Sequence, residues 1–317
     1  MSASRHARWE EAGQILEGAG NAEGLALYWQ SVAFEAWIRC RAAECAAASE
    51  RSIAHAKLAE SGRRVRDNLV WICACYALGP MAVHEAIERV EEIRLGAYGT
   101  LVEALASIMI GQLTAMQGEF DSARILVRGG RQTWRDAGLP VFAAAMAMFE
   151  SLDAWRAGDD DARERVLREG LEELERLGDH GYASTTALYL ADCLYSRGRL
   201  SEAQEFCTRG RELTSTEDVV NFILLEGLQA TLSAGEGRHD EAEAGARRAI
   251  ELAEATDFFE THAWTRRMLA ETLALLGRSV EAAEPAEEAL AIRRAKGDMT
   301  GAERDRERFA ELGIEVG

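Results

Sequence analysis

One short pattern recurs along this chain at nearly constant spacing, and its period limits the fold more than any other property. QGEFDSA at 117–123, RGRLSEA at 197–203, EGRHDEA at 236–242 and LGRSVEA at 276–282 share a glycine, a polar run and an alanine. With Gly79, Gly118, Gly158, Gly198, Gly237 and Gly277 as anchors, the intervals are 39, 40, 40, 39 and 40 residues. A further step of 39 back from Gly79 reaches Cys40, which reads as a copy with its glycine replaced. Seven units at a fixed period indicate a repeat array, in which each unit buries its apolar face against its neighbours.

Small residues keep the same phase. Cys45, Ala123, Ala203, Ala242 and Ala282 stand five residues after the anchor; Ser52, Gly130, Gly170, Gly210, Ala249 and Ala289 stand twelve after it. Ala33, Gly111, Ser151, Ala191, Ala230 and Ala270 stand seven before it. These offsets fit a helix, a tight turn at the glycine and a second helix packed closely on the first. The stripe Ala242, Ala246, Ala249, Ile250 and Ala253 has the spacing of a helix face. Only three prolines interrupt the chain, and alanine is frequent between charged residues, so helix is favoured throughout. The expected fold is an all-α solenoid over 1–317: a partial unit at 5–18, seven helix–turn–helix units over 21–300 and a capping helix at 301–313, curving into a right-handed superhelix. Unit two departs, because GPMAVHEA delays its alanine to Ala86 and Ile72 replaces the small residue; Pro80 points to a longer turn there.

A net charge of −18 excludes a nucleic-acid backbone or an anionic membrane surface as the main partner. The most apolar stretches, 101–116 and 141–149, are too short or too interrupted to span a membrane. The six cysteines lie in helical stretches without framework spacing, as in a reduced, cytoplasmic protein. Arginine supplies 34 of the 36 basic residues, leaving Lys57 and Lys296 as the lysines.

Motifs with chemistry are weak. The six histidines are scattered, and Cys73 and Cys75 point to different helix faces, so no metal site is expected. Asp159, Asp160 and Asp161 read as a helix N-terminal cap, and GAGNAEG (18–24) and GEGRHD (235–240) as turns. Asp179 and His180 fall in a loop with no nucleophile beside them. No cofactor and no catalytic residue is assigned, and the reading leans away from an enzyme.

Small residue, glycine turn, alanine, alanine is the tetratricopeptide (TPR) pattern, here with a period near 40 where 34 is usual. More specifically, the chain resembles the C-terminal TPR region of actinobacterial multidomain regulators that carry a nucleotide-cyclase domain and an AAA-type ATPase, and of LuxR-type regulators. The resemblance is densest at CYALGPMAVHEAIERVEEI (75–93), LGDHGYASTTALYLADCLYSRGRLSEA (177–203), EATDFFETHAW (254–264) and EEALAIRRAKGDMTGAERDRERFAELG (287–313). It implies a sensing or interaction region without the catalytic modules, since no phosphate-binding G-x-x-x-x-G-K-[ST] occurs. Two faces depart from the family: Glu226, Gln229 and Thr231 replace residues that are usually basic there, and Trp264 and Met268 stand near usually acidic positions.

In such repeats the first helix of each unit lines the concave face. Three residues before the anchor stand Trp37, Tyr76, Ala115, Trp155, Tyr195, Ala234 and Ala274, four of them aromatic. Neighbouring offsets add Met148, Asp192, Arg267 and Glu271, with Trp264 beside them. These residues predict an amphipathic groove (Trp37, Tyr76, Met148, Trp155, Asp192, Tyr195, Trp264, Arg267, Glu271), or rings that pack between neighbouring helices. The first expectation is a non-catalytic scaffold that binds a basic or neutral protein or peptide, in signalling or regulation. The alternative is a small-molecule sensor or unconventional enzyme with an enclosed aromatic lumen, in which an apolar ligand meets Asp192, Glu271, Arg267 and His262.

Overall fold

The computed structural model describes residues 3–97 and 99–317, with the backbone alone described at 3–8 and 10. Among the described residues every regular element is a helix. The order is α1 (Ala3–Gly18), α2 (Ala22–Ile38), α3 (Ala42–Leu58), α4 (Gly62–Leu78), α5 (Val83–Gly96), α6 (Leu101–Met116), α7 (Phe120–Asp136), α8 (Pro140–Ala145) and α9 (Ala147–Arg156). There follow α10 (Asp160–Arg176), α11 (Gly181–Ser196), α12 (Leu200–Leu213), α13 (Val219–Gly235), α14 (His239–Glu254), α15 (Phe259–Leu275), α16 (Ser279–Lys296) and α17 (Met299–Glu311). Consecutive helices pair as α2/α3, α4/α5, α6/α7, α8–α9/α10, α11/α12, α13/α14 and α15/α16. This is a TPR-like α-solenoid, with α1 ahead of the first pair and α17 after the last.

The repeated glycine ends one helix and starts the next. Gly198 has φ 73°, a left-handed conformation that glycine adopts without a Cβ penalty. Its N–H donates to Tyr195 O at 2.9 Å and the Arg199 N–H donates to Leu194 O at 2.9 Å, so two otherwise unpaired helix-end carbonyls are satisfied. Cys40, read as a replaced glycine, adopts the same conformation with φ 55°. Gly79 instead is extended, with φ −81° and ψ −169°, and three more residues pass before α5 begins at Val83. The longer turn expected at unit two is therefore present. Asp159 caps α10, accepting from the Ala162 N–H at 2.9 Å.

The small residues lie where helices touch. A Cβ on Gly130 would sit 2.5 Å from Ala104 O, and one on Gly170 would sit 2.4 Å from Ala147 Cβ. Between units, arginines just after the turn bridge outward: Arg199 pairs with Glu164 of the preceding unit at 2.7 Å and with its own Glu202 at 2.6 Å. Arg278 repeats this arrangement with Glu243 and Glu281. Such exposed pairs contribute to register more than to stability.

The array closes on itself. The turns of units one to four meet residues of the last units, far away in sequence. Asp257 accepts from the N–H groups of Ala42 and Ala43 at 2.5 and 2.9 Å, and its own N–H donates to Cys40 O at 2.9 Å. Lys296 Nζ donates to Gly79 O at 2.8 Å and to Tyr76 O at 3.2 Å. Thr300 Oγ1 donates to Ala115 O at 2.9 Å, and Arg156 pairs with Asp298 at 2.9 Å. Helix-end backbone groups of three successive units are thus satisfied by one C-terminal segment, which also pairs with the Arg156 side chain of the fourth. Phe258 adds an aromatic contact to Trp37, with ring centroids 5.5 Å apart.

Two adjacent glycines in α7 test the packing. Gly130 faces α6, whereas nothing lies within 4 Å of a Cβ on Gly129. Gly129→Ala should stabilise by about 0.5–1 kcal/mol through helix propensity, while Gly130→Ala should destabilise by about 1–3 kcal/mol through overpacking. Urea unfolding of the two variants checks both signs.

Candidate functional site

The first helices of successive units contact one another, as α4 with α6, α6 with α9, α11 with α13 and α13 with α15, and charged side chains gather beside them. Asp192 on α11 accepts from Arg163 Nη2 on α10 at 2.6 Å, Arg267 Nη2 on α15 at 2.9 Å and Trp264 Nε1 at 3.1 Å. Glu271 accepts from the Tyr195 hydroxyl at 2.9 Å and from Arg308 Nη2 on α17 at 3.1 Å. Arg293 on α16 donates to Asp305 at 2.5 Å, Asp298 at 2.7 Å and Glu260 at 2.9 Å. Arg156 shares the last two carboxylates. Five guanidiniums and five carboxylates, mostly sealed from solvent, thus form one network. The Trp155 ring lies among three of the arginines, with Arg293 4.8 Å, Arg156 5.8 Å and Arg267 6.0 Å from its centroid.

Of the groove residues expected from sequence, Trp155, Asp192, Tyr195, Trp264, Arg267 and Glu271 converge here, and all six are buried. Met148 is buried in the apolar core that flanks them. Trp37 and Tyr76 lie apart, half-buried. Trp37 packs on Trp71 at 4.9 Å, and the Tyr76 hydroxyl donates to Glu50 at 3.1 Å. His262 also stands aside, its Nε2 3.1 Å from Thr256 O. The departing position Glu226 pairs with Arg248 at 2.8 Å in an open groove of about 390 Å³ between α13 and α14, which Gln229 also lines; Thr231 is buried.

Sequence reasoning missed Arg156, Arg163, Glu260, Arg293, Asp298, Asp305 and Arg308. A signal existed for two of them. Arg163 occupies the slot five residues after its anchor that holds alanine in four other units, and Arg293 occupies a slot where Ala56, Leu174 and Ala253 are fully buried. A charge in a core phase of a repeat has to find its counter-charge inside. Asp298, Asp305 and Arg308 gave no such signal, because a charged terminal helix ordinarily faces water.

The electrostatics follow from burial and proximity. Burial alone would raise the Asp192 carboxyl, but Arg267 and Arg163 outweigh it and hold it at about 2. Asp153 on α9 is different: burial and the charge of Glu150 push it up to about 8 against Arg156 and the Gln112 amide, which donates at 2.5 Å. Burial lowers Lys296 to about 7, with the charge of Asp298 opposing. Within the network a cavity of about 30 Å³ remains, lined by Leu152, Trp155, Arg163, Tyr189, Asp192, Val220, Leu224, Glu260, Thr261, Trp264, Arg267 and Arg293. It has room for a water or an ion rather than for an organic substrate. Among the described residues no cluster of His, Cys, Asp and Glu is arranged to hold a metal ion. All six cysteines are buried and unbridged, and no helix among the described residues is long and apolar enough to cross a membrane.

No protein-family model matches this sequence, and no curated protein matches it. The solved structures to which this chain is similar include the following two. One is a Rap protein complexed with competence and sporulation factor, 13% identical, covering 84% of this chain and 75% of that one with a TM-score of 0.45. The other is the TPR domain of P58(IPK), 14% identical, covering 96% of each chain with a TM-score of 0.25. These likenesses are too loose to carry conclusions about this chain, whose architecture rests on its own paired helices.

Asp153 yields a pH prediction. A carboxyl raised on folding holds a proton that the unfolded chain releases above about pH 4, so the folded state loses stability as pH rises from 4 through 8. Asp153→Asn abolishes this loss. Relative to wild type the variant should gain about 4–6 kcal/mol in urea unfolding at pH 9 over its difference at pH 4.

Proposed function

We propose that this chain is a non-catalytic interaction scaffold whose concave groove binds a protein or peptide partner, and that α17 occupies the groove when no partner is present. The observation that carries this reading is the way α17 and its leading residue are held. Asp298, Thr300, Asp305 and Arg308 each meet a side chain or carbonyl on the first helix of another unit, or on α16. Phe309 is wholly buried at the end of the array. A short helix with interleaved charges and one aromatic anchor is a familiar kind of groove ligand. The partner is then a helix of mixed or basic charge that competes with α17 and its leading residue for Arg156, Arg293 and Glu271.

A lumen enzyme is disfavoured by space and by charge. The free volume is about 30 Å³, and the carboxylates and guanidiniums that could act on a substrate neutralise one another. The setting in signalling or transcriptional regulation and the cytoplasmic location belong to the same proposal; they follow the sequence resemblance to actinobacterial regulators.

The experiment uses a fluorescent peptide of residues 298–313 titrated onto the full-length chain and onto Phe309→Ala, which loosens the resident helix. The variant should bind the peptide at least about tenfold more tightly than wild type, since its own helix competes less. Equal and negligible binding by both proteins, with helical circular dichroism intact, would show that the groove does not exchange its occupant.

A further inference from the structure

The geometry points to a rule for what the groove accepts: a helix capped at its N-terminus by an aspartate, with a hydroxyl residue two positions on and a glycine three positions on. The rule rests on the reading of α17 as a resident occupant, and it is taken from how the first residues of that occupant are seated. Asp298 is fully buried and serves two purposes. Its Oδ1 accepts from the Gly301 N–H at 3.1 Å, which caps α17. The same carboxylate is gripped by the Arg156 fork, Nε at 2.9 Å and Nη2 at 3.1 Å, and by Arg293 Nη1 at 2.7 Å. Thr300 Oγ1 donates to Ala115 O at the end of α6. Gly301 is buried as well, and a Cβ there would lie 2.3 Å from Asp298 Oδ2.

Each requirement follows from what surrounds the seat. Arg156 pairs with Asp298 and with Glu260, and Glu260 is shared with Arg293. Asp153, three residues before Arg156, supplies no full counter-charge near neutrality, because burial pushes it up to about 8. Among the described residues, the Nη1 of Arg156 already meets no acceptor. An occupant with an apolar cap would leave Nε without one too, and a buried guanidinium deprived of its carboxylate is costly. Asparagine caps a helix about as well as aspartate. Its amide, however, offers one uncharged oxygen where Arg156 Nε, Arg156 Nη2 and Arg293 Nη1 converge. Because the carboxylate is held by two arginines, it cannot turn away from a Cβ three residues on, and glycine is required there.

The test uses full-length Phe309→Ala, whose own helix competes less, and fluorescent peptides of residues 298–313 that differ at one position. The unaltered peptide should bind at least about tenfold more tightly than its Asp298→Asn form. Since asparagine keeps the cap, that loss reports the seat and not the helicity of the peptide. The Thr300→Val and Gly301→Ala forms should each lose about fivefold or more, the second although alanine favours helix. Glu303 is exposed on α17, so Glu303→Gln removes the same charge away from the seat and should change binding by less than about twofold. Should Phe309→Ala fail to fold, the same order is read on the wild type at higher peptide concentrations. Equal binding of the unaltered and Asp298→Asn peptides, or equal losses from Asp298→Asn and Glu303→Gln, overturns the rule and leaves the exchange of α17 standing. Unchanged binding of the Thr300→Val or Gly301→Ala peptide overturns it at that position. Binding of no peptide at all overturns the exchange and the rule together.

Discussion

The buried interior of this molecule depends on one segment's satisfying the helix ends of units it does not adjoin in sequence. An open solenoid leaves the ends of its helices to water. Here Asp257, Lys296, Asp298 and Thr300 supply charges and donors to the turns of units one to four. The contacts are polar and directional, so they fix the angle at which the array returns to itself. Once that angle is fixed, the concave face becomes an interior. Residues that would line an open groove acquire neighbours on all sides.

That enclosure explains why the interior is charged without being chemically active. Five carboxylates and five guanidiniums in low dielectric are stable only as a matched set. Removing one partner of such a pair costs about 3–5 kcal/mol, whereas the intact set contributes little net stability against an apolar equivalent. What the set does provide is specificity, because Trp155, Tyr195 and Trp264 are held by named partners rather than by general apolar packing. The position of Lys296 follows the same logic. One of two lysines in an arginine-rich chain, it caps carbonyls that a forked guanidinium would reach less compactly.

The sequence revealed the array more fully than the site. The anchors, the small-residue slots and the exceptional turn after Gly79 are local: each follows from what a few neighbouring residues can do with backbone and Cβ volume, and each is found in place. The convergence of Trp155, Asp192, Tyr195, Trp264, Arg267 and Glu271 also came from phase, since equal offsets in a solenoid face the same way. Whether these residues meet solvent was not legible, because it depends on the small rotation between units summed around the whole array. The same sum brings Asp305 and Arg308 inward, although their helix reads by itself as a solvated cap. Arg163 stood in the open as a charge in an alanine slot, and a strict reading of the exceptions would have found it.

Closure also changes how such a chain folds. An open repeat array behaves almost one-dimensionally, with units forming and fraying next to their neighbours. The bonds from Asp257 to Ala42 and Ala43 span 215 and 214 residues, and those from Lys296 to Tyr76 and Gly79 span 220 and 217. Closing them has an entropic cost that purely neighbouring contacts avoid, which places their formation late. The units therefore cannot be added or deleted one at a time without misplacing the segment that joins the ends. The number of repeats, which is free in an open solenoid, becomes a fixed property of the fold.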